Sequence, residues 1–274
     1  MDVLLYIAII PIIILLNYVK KQDPHPENGK LLRKIFIFGC ISSIVAIIGE
    51  TAFDHLWPYY SPIPTYSDIF VENVIGVALI EESVKWLVIW WLCYRNRDFD
   101  ETYDAIVYAA YSSLGFACVE NILYVLMYGI GTGIVRAFTS IPGHLCFAVI
   151  MGYFLGRARL AKSKGEPSAG FIMLSLAIPT LIHGMFDFLL STDNAMHICI
   201  WFVFILVLFI FCFNLVSHSA KHNEAICDGA TTTTATAAPS STSSPATPSN
   251  ANSPTTPSDG IPPANPAGDP PSLF

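Results

Sequence analysis

Two consecutive glutamates, Glu81 and Glu82, lie near the middle of an apolar stretch that is long enough to cross a membrane. Ionisable side chains inside a bilayer are costly, so they usually mark a functional site. Lys85 follows Glu81 by four residues, the favourable order for an ion pair on one helix face. Glu82 points about 100° away around the helix. We therefore expect one glutamate to react while the other orients it or pairs with Lys85.

Three later apolar stretches carry Glu120, His144, and the pair His183 and Asp187. The last two are four residues apart, so an imidazole and a carboxylate share one helix face. With a helix rise of about 1.5 Å per residue, these groups reach the same level as Glu81, in the outer half of an apolar core about 30 Å thick. Carboxylates and imidazoles at one depth indicate buried chemistry or a path for protons or ions.

The composition is that of a polytopic membrane protein, with 53% apolar and 13% charged residues. Seven cysteines include no C-x-x-C pair, which argues against a disulfide framework and against a thiolate zinc site. No basic patch of the kind that binds nucleic acid is present, so no nucleic-acid partner is expected.

Apolar stretches of roughly 20 residues predict an all-α fold, a polytopic bundle of about seven transmembrane helices within the bilayer. They cover residues 2–19, 31–52, 69–94, 103–128, 134–156, 169–190 and 196–217. The first is interpreted as a retained anchor, because no positive residue precedes it and no small-x-small cleavage site follows it. Glu50, near the outer end of the second stretch, is interpreted as interfacial.

Lysine and arginine concentrate in the segments between stretches one and two, three and four, and five and six, and Lys221 follows the last stretch. The positive-inside rule makes these segments cytoplasmic, which places the N-terminus outside and the C-terminus inside. Only Lys85 and Arg136 fall outside this set. Residues 1–218 are predicted to form the transmembrane domain, and 219–274, rich in Pro, Thr, Ser and Ala, a disordered cytoplasmic tail.

Three of these stretches carry motifs that resemble one known family. Glu81–Lys85 matches E-E-x-x-K, Phe116–Asn121 matches F-x-x-x-E-N, and His183–Asp187 matches H-x-x-F-D, while His144 lies in its own stretch between them. In this order, over residues 69–190, they resemble the PrsW family of intramembrane proteases, distant relatives of the CAAX prenyl proteases. Those relatives carry a histidine where Glu120 stands and an asparagine where Asp187 stands, so roles do not transfer directly.

The resemblance implies an enzyme, a peptidase that hydrolyses a peptide bond of a single-pass or membrane-anchored protein near the outer face of a plasma membrane. The substrate class it implies is a signalling protein, such as an anti-sigma factor if the chain is bacterial. The sequence itself encodes neither the cleaved site nor an oligomeric state.

The candidate residues support two mechanisms. A desolvated glutamate can serve as general base and then acid, which is the role expected for Glu81 or Glu82. In a metal version, His144, His183 and Glu120 would bind Zn²⁺, with Asp187 holding an imidazole in place. In a metal-free version, Glu81 and Glu120 would activate water while His183 with Asp187 donates to the oxyanion. Catalytic candidates are thus Glu81, Glu82, Glu120, His183 and Asp187, with Lys85 and Asn121 in support.

The competing interpretation is a proton or cation transporter, or a channel, whose outer cavity would also be lined by carboxylates and histidines. No inverted internal repeat is found in the sequence, which weakens this alternative.

Overall fold

The computed structural model describes residues 2–57, 64–192 and 194–226, and the regular elements in these ranges are helical apart from an isolated β-bridge between Glu101 and Ala225. The helices are α1 Asp2–Gln22, α2 Gly29–Leu56, α3 Tyr66–Val71, a π-helical segment Glu72–Ala78, α4 Leu79–Leu92, α5 Asp104–Tyr128, α6 Ile130–Phe138, α7 Ser140–Ser163, α8 Ala169–Ser191 and α9 Ala195–Lys221.

Six helical segments of the described chain are long and apolar enough to cross a membrane: Leu5–Gln22, Gly29–Leu56, Asp104–Tyr128, Ile130–Ser163, Ala169–Ser191 and Ala195–Lys221. The prediction of an all-helical multi-pass membrane protein is therefore confirmed. The third predicted stretch, 69–94, is not among the six, because α3, the π-helical segment and α4 divide it, and α4 alone has 14 residues.

The fifth predicted stretch, 134–156, also differs from the structure. It runs across a break at Thr139, whose φ of −122° and ψ of −73° are not helical. The break separates α6 from α7, and α7 then continues to Ser163. Pro142 lies in the first turn of α7, where a missing amide hydrogen costs no helical hydrogen bond.

Helix α5 lies at the centre of the bundle, packed mainly against α2 on one side and α7 on the other. The approach of α7 depends on small residues that continue the face of His144. A Cβ on Gly152 would lie 2.5 Å from Cα of Ile106, and one on Gly156 would collide with the carbonyl of Thr102. The sequence predicts that this face of α7 points into the bundle, and the packing confirms it.

Contacts among the lysine- and arginine-bearing segments bring them to one end of the bundle. In the α1–α2 loop, His25 Nδ1 lies 2.8 Å from Glu101 of the α4–α5 loop. Beyond α9, Glu224 bonds Arg157 of α7 at 3.1 Å and accepts the amide of Thr102 at 3.0 Å. The predicted tail overlaps the described residues only at 219–226, which complete α9 and contact this end; residues 227–274 lie outside them.

Candidate active site

One cavity of about 720 Å³ collects the predicted site residues from four helices. Its lining includes Glu81 of α4, Glu120 of α5, His144 of α7, and His183 and Asp187 of α8. Glu82 is fully buried beside it and does not line it. Four helices therefore bring these side chains together at one cavity.

The ammonium group of Lys85 connects both glutamates. Its Nζ donates to Glu81 Oε2 and to Glu82 Oε1, each at 2.9 Å, and it lies 4.1 Å from the centre of the Phe116 ring. Because Lys85 follows the two glutamates by four and three residues, one side chain reaches both on a single helix face. The i,i+4 pair expected between Glu81 and Lys85 is present, and Glu82 joins it.

His183 lies between two carboxylates. Its Nδ1 is 3.0 Å from Glu82 Oε1, and its Nε2 is 3.2 Å from Asp187 Oδ2, as the four-residue spacing predicts. The Phe147 ring stacks on the imidazole at 4.5 Å between centroids. Both ring nitrogens and one ring face are thus fixed, which holds the imidazole in a single orientation at the cavity wall.

The tautomer of His144 follows from its two partners. Its Nδ1 lies 3.2 Å from Lys85 Nζ, and its Nε2 lies 2.8 Å from Glu120 Oε2. An ammonium group has only hydrogens to offer. Nδ1 therefore accepts, and Nε2 carries the hydrogen and donates it to Glu120.

Two serines of α5 hold the backbones of neighbouring helices at the site. Ser112 Oγ donates to the Lys85 carbonyl, and Ser113 Oγ donates to the His144 carbonyl, each at 3.0 Å. These bonds fix α4 and α7 against α5. The relative positions of Lys85 and His144 are therefore set by backbone contacts as well as by their side chains.

Arg136 of α6 is a site residue that the sequence motifs do not include. Its Nη2 lies 2.8 Å from Glu120 Oε1, its Nε donates to Asn121 Oδ1 at 3.1 Å, and its guanidinium stacks 3.9 Å from the Tyr124 ring. Asn121 Nδ2 in turn donates to the Ala8 carbonyl at 3.3 Å. The signal in the sequence is that Arg136 is a basic residue outside the segments predicted to be cytoplasmic.

Glu50 of α2 also lines the cavity, although the sequence interpretation placed it at the membrane interface. Its location inside a predicted stretch, rather than beyond its end, was the signal for a bundle-facing role.

Comparison with known proteins identifies the family. The family model described as PrsW family intramembrane metalloprotease matches residues 27–215. The chain belongs to the PrsW family. A protein named Protease PrsW from Oceanobacillus iheyensis is 34% identical over 184 residues, which cover 67% of this chain and 81% of the relative.

Two further relatives named Protease PrsW agree. The one from Clostridioides difficile is 30% identical over 210 residues, covering 75% of this chain and 86% of the relative. The one from Bacillus subtilis is 41% identical over 122 residues, covering 44% of this chain and 55% of the relative. No solved structure matches the chain. This PrsW-family protein is a peptidase of the membrane, and a transporter or channel is not favoured.

The family description implies a metal, and the cavity contains donors for one. Among the described residues, Glu81, His144 and His183 each offer a ligand atom, and these atoms lie within 4.8 Å of one another. Two imidazoles and one carboxylate form a donor set typical of catalytic zinc, so the residues fit this ion. The predicted set of His144, His183 and Glu120 shares two members with this one. Glu81 takes the third place, while Glu120 faces His144 and Arg136.

Proposed function

We propose that this PrsW-family chain cleaves a peptide bond of a single-pass or membrane-anchored protein inside the cavity, on the membrane side opposite the lysine- and arginine-rich loops. The observation that carries the proposal is the convergence of Glu81, Glu120, His144, His183 and Asp187 on one cavity of about 720 Å³. Such a volume is in the range that accommodates a segment of a ligand. Water and an extended segment of substrate can meet there, away from lipid.

The membrane topology we propose has seven crossings. The helical run from Tyr66 to Leu92 passes through α3, the π-helical segment and α4 without a gap, and at about 1.5 Å per residue it is long enough to span. The end of α4 leads into the 100–104 segment, which contacts residues 224–226 beyond α9. With seven crossings and the lysine- and arginine-rich loops in the cytoplasm, the proposed orientation has the N-terminus outside, the C-terminus in the cytoplasm, and the cavity toward the outer face of a plasma membrane.

In the proposed chemistry, some acidic groups bind the metal or position other side chains, and one transfers the proton. Glu81, His144 and His183 would hold a zinc ion, which when bound supplies a Lewis acid for peptide hydrolysis. Glu120, which lines the cavity, takes the proton of the attacking water and returns it to the leaving amine. Glu82 holds His183 through Nδ1, so that Nε2 would be left for the ion in place of its contact with Asp187, and Lys85 positions both Glu81 and Glu82.

A metal-free mechanism is the second candidate, and one contact favours it. Lys85 Nζ already lies 2.9 Å from Glu81 Oε2 and 3.2 Å from His144 Nδ1, so a cation occupies the space next to two of the three donors. In this mechanism Glu81 and Glu120 activate water directly, and His183 donates to the oxyanion while Asp187 holds its other nitrogen.

One set of measurements tests both proposals. Purified protein in detergent is assayed for cleavage of a single-pass membrane substrate, and its zinc content is measured by mass spectrometry. Glu81→Gln should abolish cleavage while the protein still elutes as a folded species, because the carboxylate is needed in either mechanism. Glu166→Gln, an exposed change in the α7–α8 loop, serves as the matched control and should cleave normally.

The zinc content and a chelator separate the two mechanisms. Stoichiometric zinc, with activity lost in the chelator and restored by zinc, supports the metal mechanism. Full activity without metal supports the glutamate mechanism. Full activity of Glu81→Gln refutes the assignment of the site itself.

The biological role we propose is regulated proteolysis of a membrane-tethered signalling protein, with an anti-sigma factor as the substrate class in a bacterium. The motifs and the position of the cavity support a tethered substrate. Comparing cleavage of one substrate with and without its membrane segment tests this, and equal rates for both would contradict it.

A further inference from the structure

A second group of carboxylates lies at the opposite end of the bundle, outside the cavity. Glu27 belongs to the α1–α2 loop, Asp100 to the α4–α5 loop, and Asp104 is the first residue of α5. Each offers a carboxylate oxygen, and these oxygens lie within 4.8 Å of one another. The proposed peptidase chemistry uses none of the three, so their proximity needs a separate explanation.

One carboxylate oxygen of the buried residue Asp104 receives no hydrogen bond from the part of the chain that the structure describes. The residue is only 1% exposed. Its Oδ2 accepts the amide hydrogens of Asp100 at 3.1 Å and of Glu101 at 2.7 Å, whereas its Oδ1 has no hydrogen-bond partner. A buried carboxylate oxygen without a partner carries the full cost of desolvation. This cost is removed if a ligand binds to Oδ1.

Glu27 faces Asp104 across the same space. Its Oε2 accepts the hydroxyl hydrogen of Tyr108 at 2.7 Å, and its carboxyl group comes within 4.8 Å of the carboxyl group of Asp104. Burial is the main cause that raises the pKa of Glu27, and the charges of Asp23 and Asp100 raise it further. Two carboxylates cannot donate to each other, so this contact requires either a proton or a cation between them.

We propose that Glu27, Asp100 and Asp104 bind a hard divalent cation, Ca²⁺ or Mg²⁺. The donors are all carboxylate oxygens, which suit these ions and contrast with the imidazole-rich set in the cavity. Asp100 is exposed, which gives an ion access from solvent, while buried Asp104 provides a fixed ligand. The bound ion joins the α1–α2 loop and the α4–α5 loop to the start of α5, and so stabilises this end of the bundle.

The test uses full-length protein in detergent, stripped of metal with a chelator and then transferred to chelator-free buffer. CaCl₂ and MgCl₂ are titrated separately, with binding followed by calorimetry and stability by thermal unfolding. We expect saturable binding of at least one ion and a rise of a few degrees in the unfolding temperature, since a ligand that binds only the folded state stabilises it. Asp100→Asn and Asp104→Asn should each weaken binding at least tenfold.

Two control variants show whether ion binding is specific to this carboxylate group. Asp98→Asn removes one exposed carboxylate from the same loop but outside the donor set, and should bind as wild type does. Glu81→Gln alters only the cavity and should also retain the Ca²⁺ or Mg²⁺ response. Loss of the response in either variant would mean that general loop charge, or the cavity, is responsible, and would overturn the proposal.

A shared proton is the alternative outcome. In that case neither ion binds wild-type protein more tightly than Asp104→Asn does, and the proposal is refuted. The exposed Asp100→Asn variant provides the same comparison if Asp104→Asn fails to fold.

Discussion

Replacing Lys85 with methionine should destabilise the protein strongly, because the two glutamates would lose their shared cation. At 2.9 Å and an effective dielectric constant of about 20, each ion pair has a Coulomb energy of about 6 kcal/mol. Desolvation of the charges opposes most of this. The expected net cost of removing one partner of a buried pair is about 3–5 kcal/mol.

Most of the stability lost in Lys85→Met should come from leaving Glu82 buried without its cation, and double variants can test this. The side chain of Glu82 is 0% exposed, whereas that of Glu81 is 8% exposed and lines the cavity, where water can solvate it. Neutralising Glu82 in the Lys85→Met background should therefore recover more stability than neutralising Glu81. The double variants Lys85→Met/Glu82→Gln and Lys85→Met/Glu81→Gln form the matched pair.

The assay is thermal unfolding in detergent with a maleimide dye that becomes fluorescent on reacting with thiols. Cys93 and Cys146 are buried, so they react only as the bundle opens. Lys85→Met should unfold roughly 10 °C below wild type. Wild-type stability of Lys85→Met, or equal recovery in the two double variants, would refute the argument that burial of Glu82 sets the cost.

Three further predictions concern the metal, the packing and Arg136. His144→Ala and His183→Ala should lose bound zinc, while Glu120→Gln should retain it, because Glu120 lies outside the compact donor set. Loss of zinc in Glu120→Gln would instead support the ligand set predicted from sequence, in which Glu120 binds the ion. Gly152→Ala should lower stability by about 1–3 kcal/mol, because the new Cβ meets the α5 backbone. Gly131→Ala, whose Cβ has no atom within 4 Å, should leave stability unchanged. Equal shifts of the unfolding temperature in the two variants would contradict the packing argument. Arg136→Gln should reduce cleavage at least tenfold and leave zinc content unchanged. Arg136→Lys should recover part of the rate if Arg136 acts through its positive charge next to Glu120. Unchanged cleavage by Arg136→Gln would rule out a role for Arg136 at the site.

Contacts within one helix were predictable from sequence. The pairs Glu81 with Lys85 and His183 with Asp187 each span four residues, and helix geometry alone brings them together. The apolar stretches likewise predict a helical membrane protein, because a bilayer leaves few ways to satisfy backbone hydrogen bonds.

Contacts between helices depend on how each helix is rotated about its axis and shifted along it relative to its neighbours, and the sequence of one helix does not specify either. Glu81 rather than Glu120 joins His144 and His183 in the compact donor set, although all four line the same cavity. Glu120 instead contacts His144 Nε2 and Arg136, and Arg136 belongs to the short helix α6, which the predicted stretch 134–156 joined to α7. The break at Thr139 and the π-helical segment before α4 could not be recognised from hydropathy, because both lie inside predicted membrane stretches.

The π-helical segment bears directly on the geometry of the site. A π-helical turn changes the rotation of everything that follows it, and such turns are frequent at functional sites. Here it immediately precedes α4, which carries Glu81 and Glu82, and a Cβ on Gly184, next to His183, would lie 2.8 Å from Cα of Val74 in the segment. The segment therefore sets both the rotation of the glutamates and the approach of α8.

The exposure of the acidic groups explains why the two adjacent glutamates differ in role. Side-chain exposure rises from 0% at Glu82 and 8% at Glu81 to 20% at Glu120 and 26% at Asp187. The most buried carboxylate contacts both Lys85 and His183, so its charge is balanced without water. The more exposed carboxylates face the cavity, where a substrate and water can reach them. The proposed chemistry needs that access at Glu81 and Glu120, whereas Asp187 is bound to His183 and Glu82 fixes the positions of its neighbours.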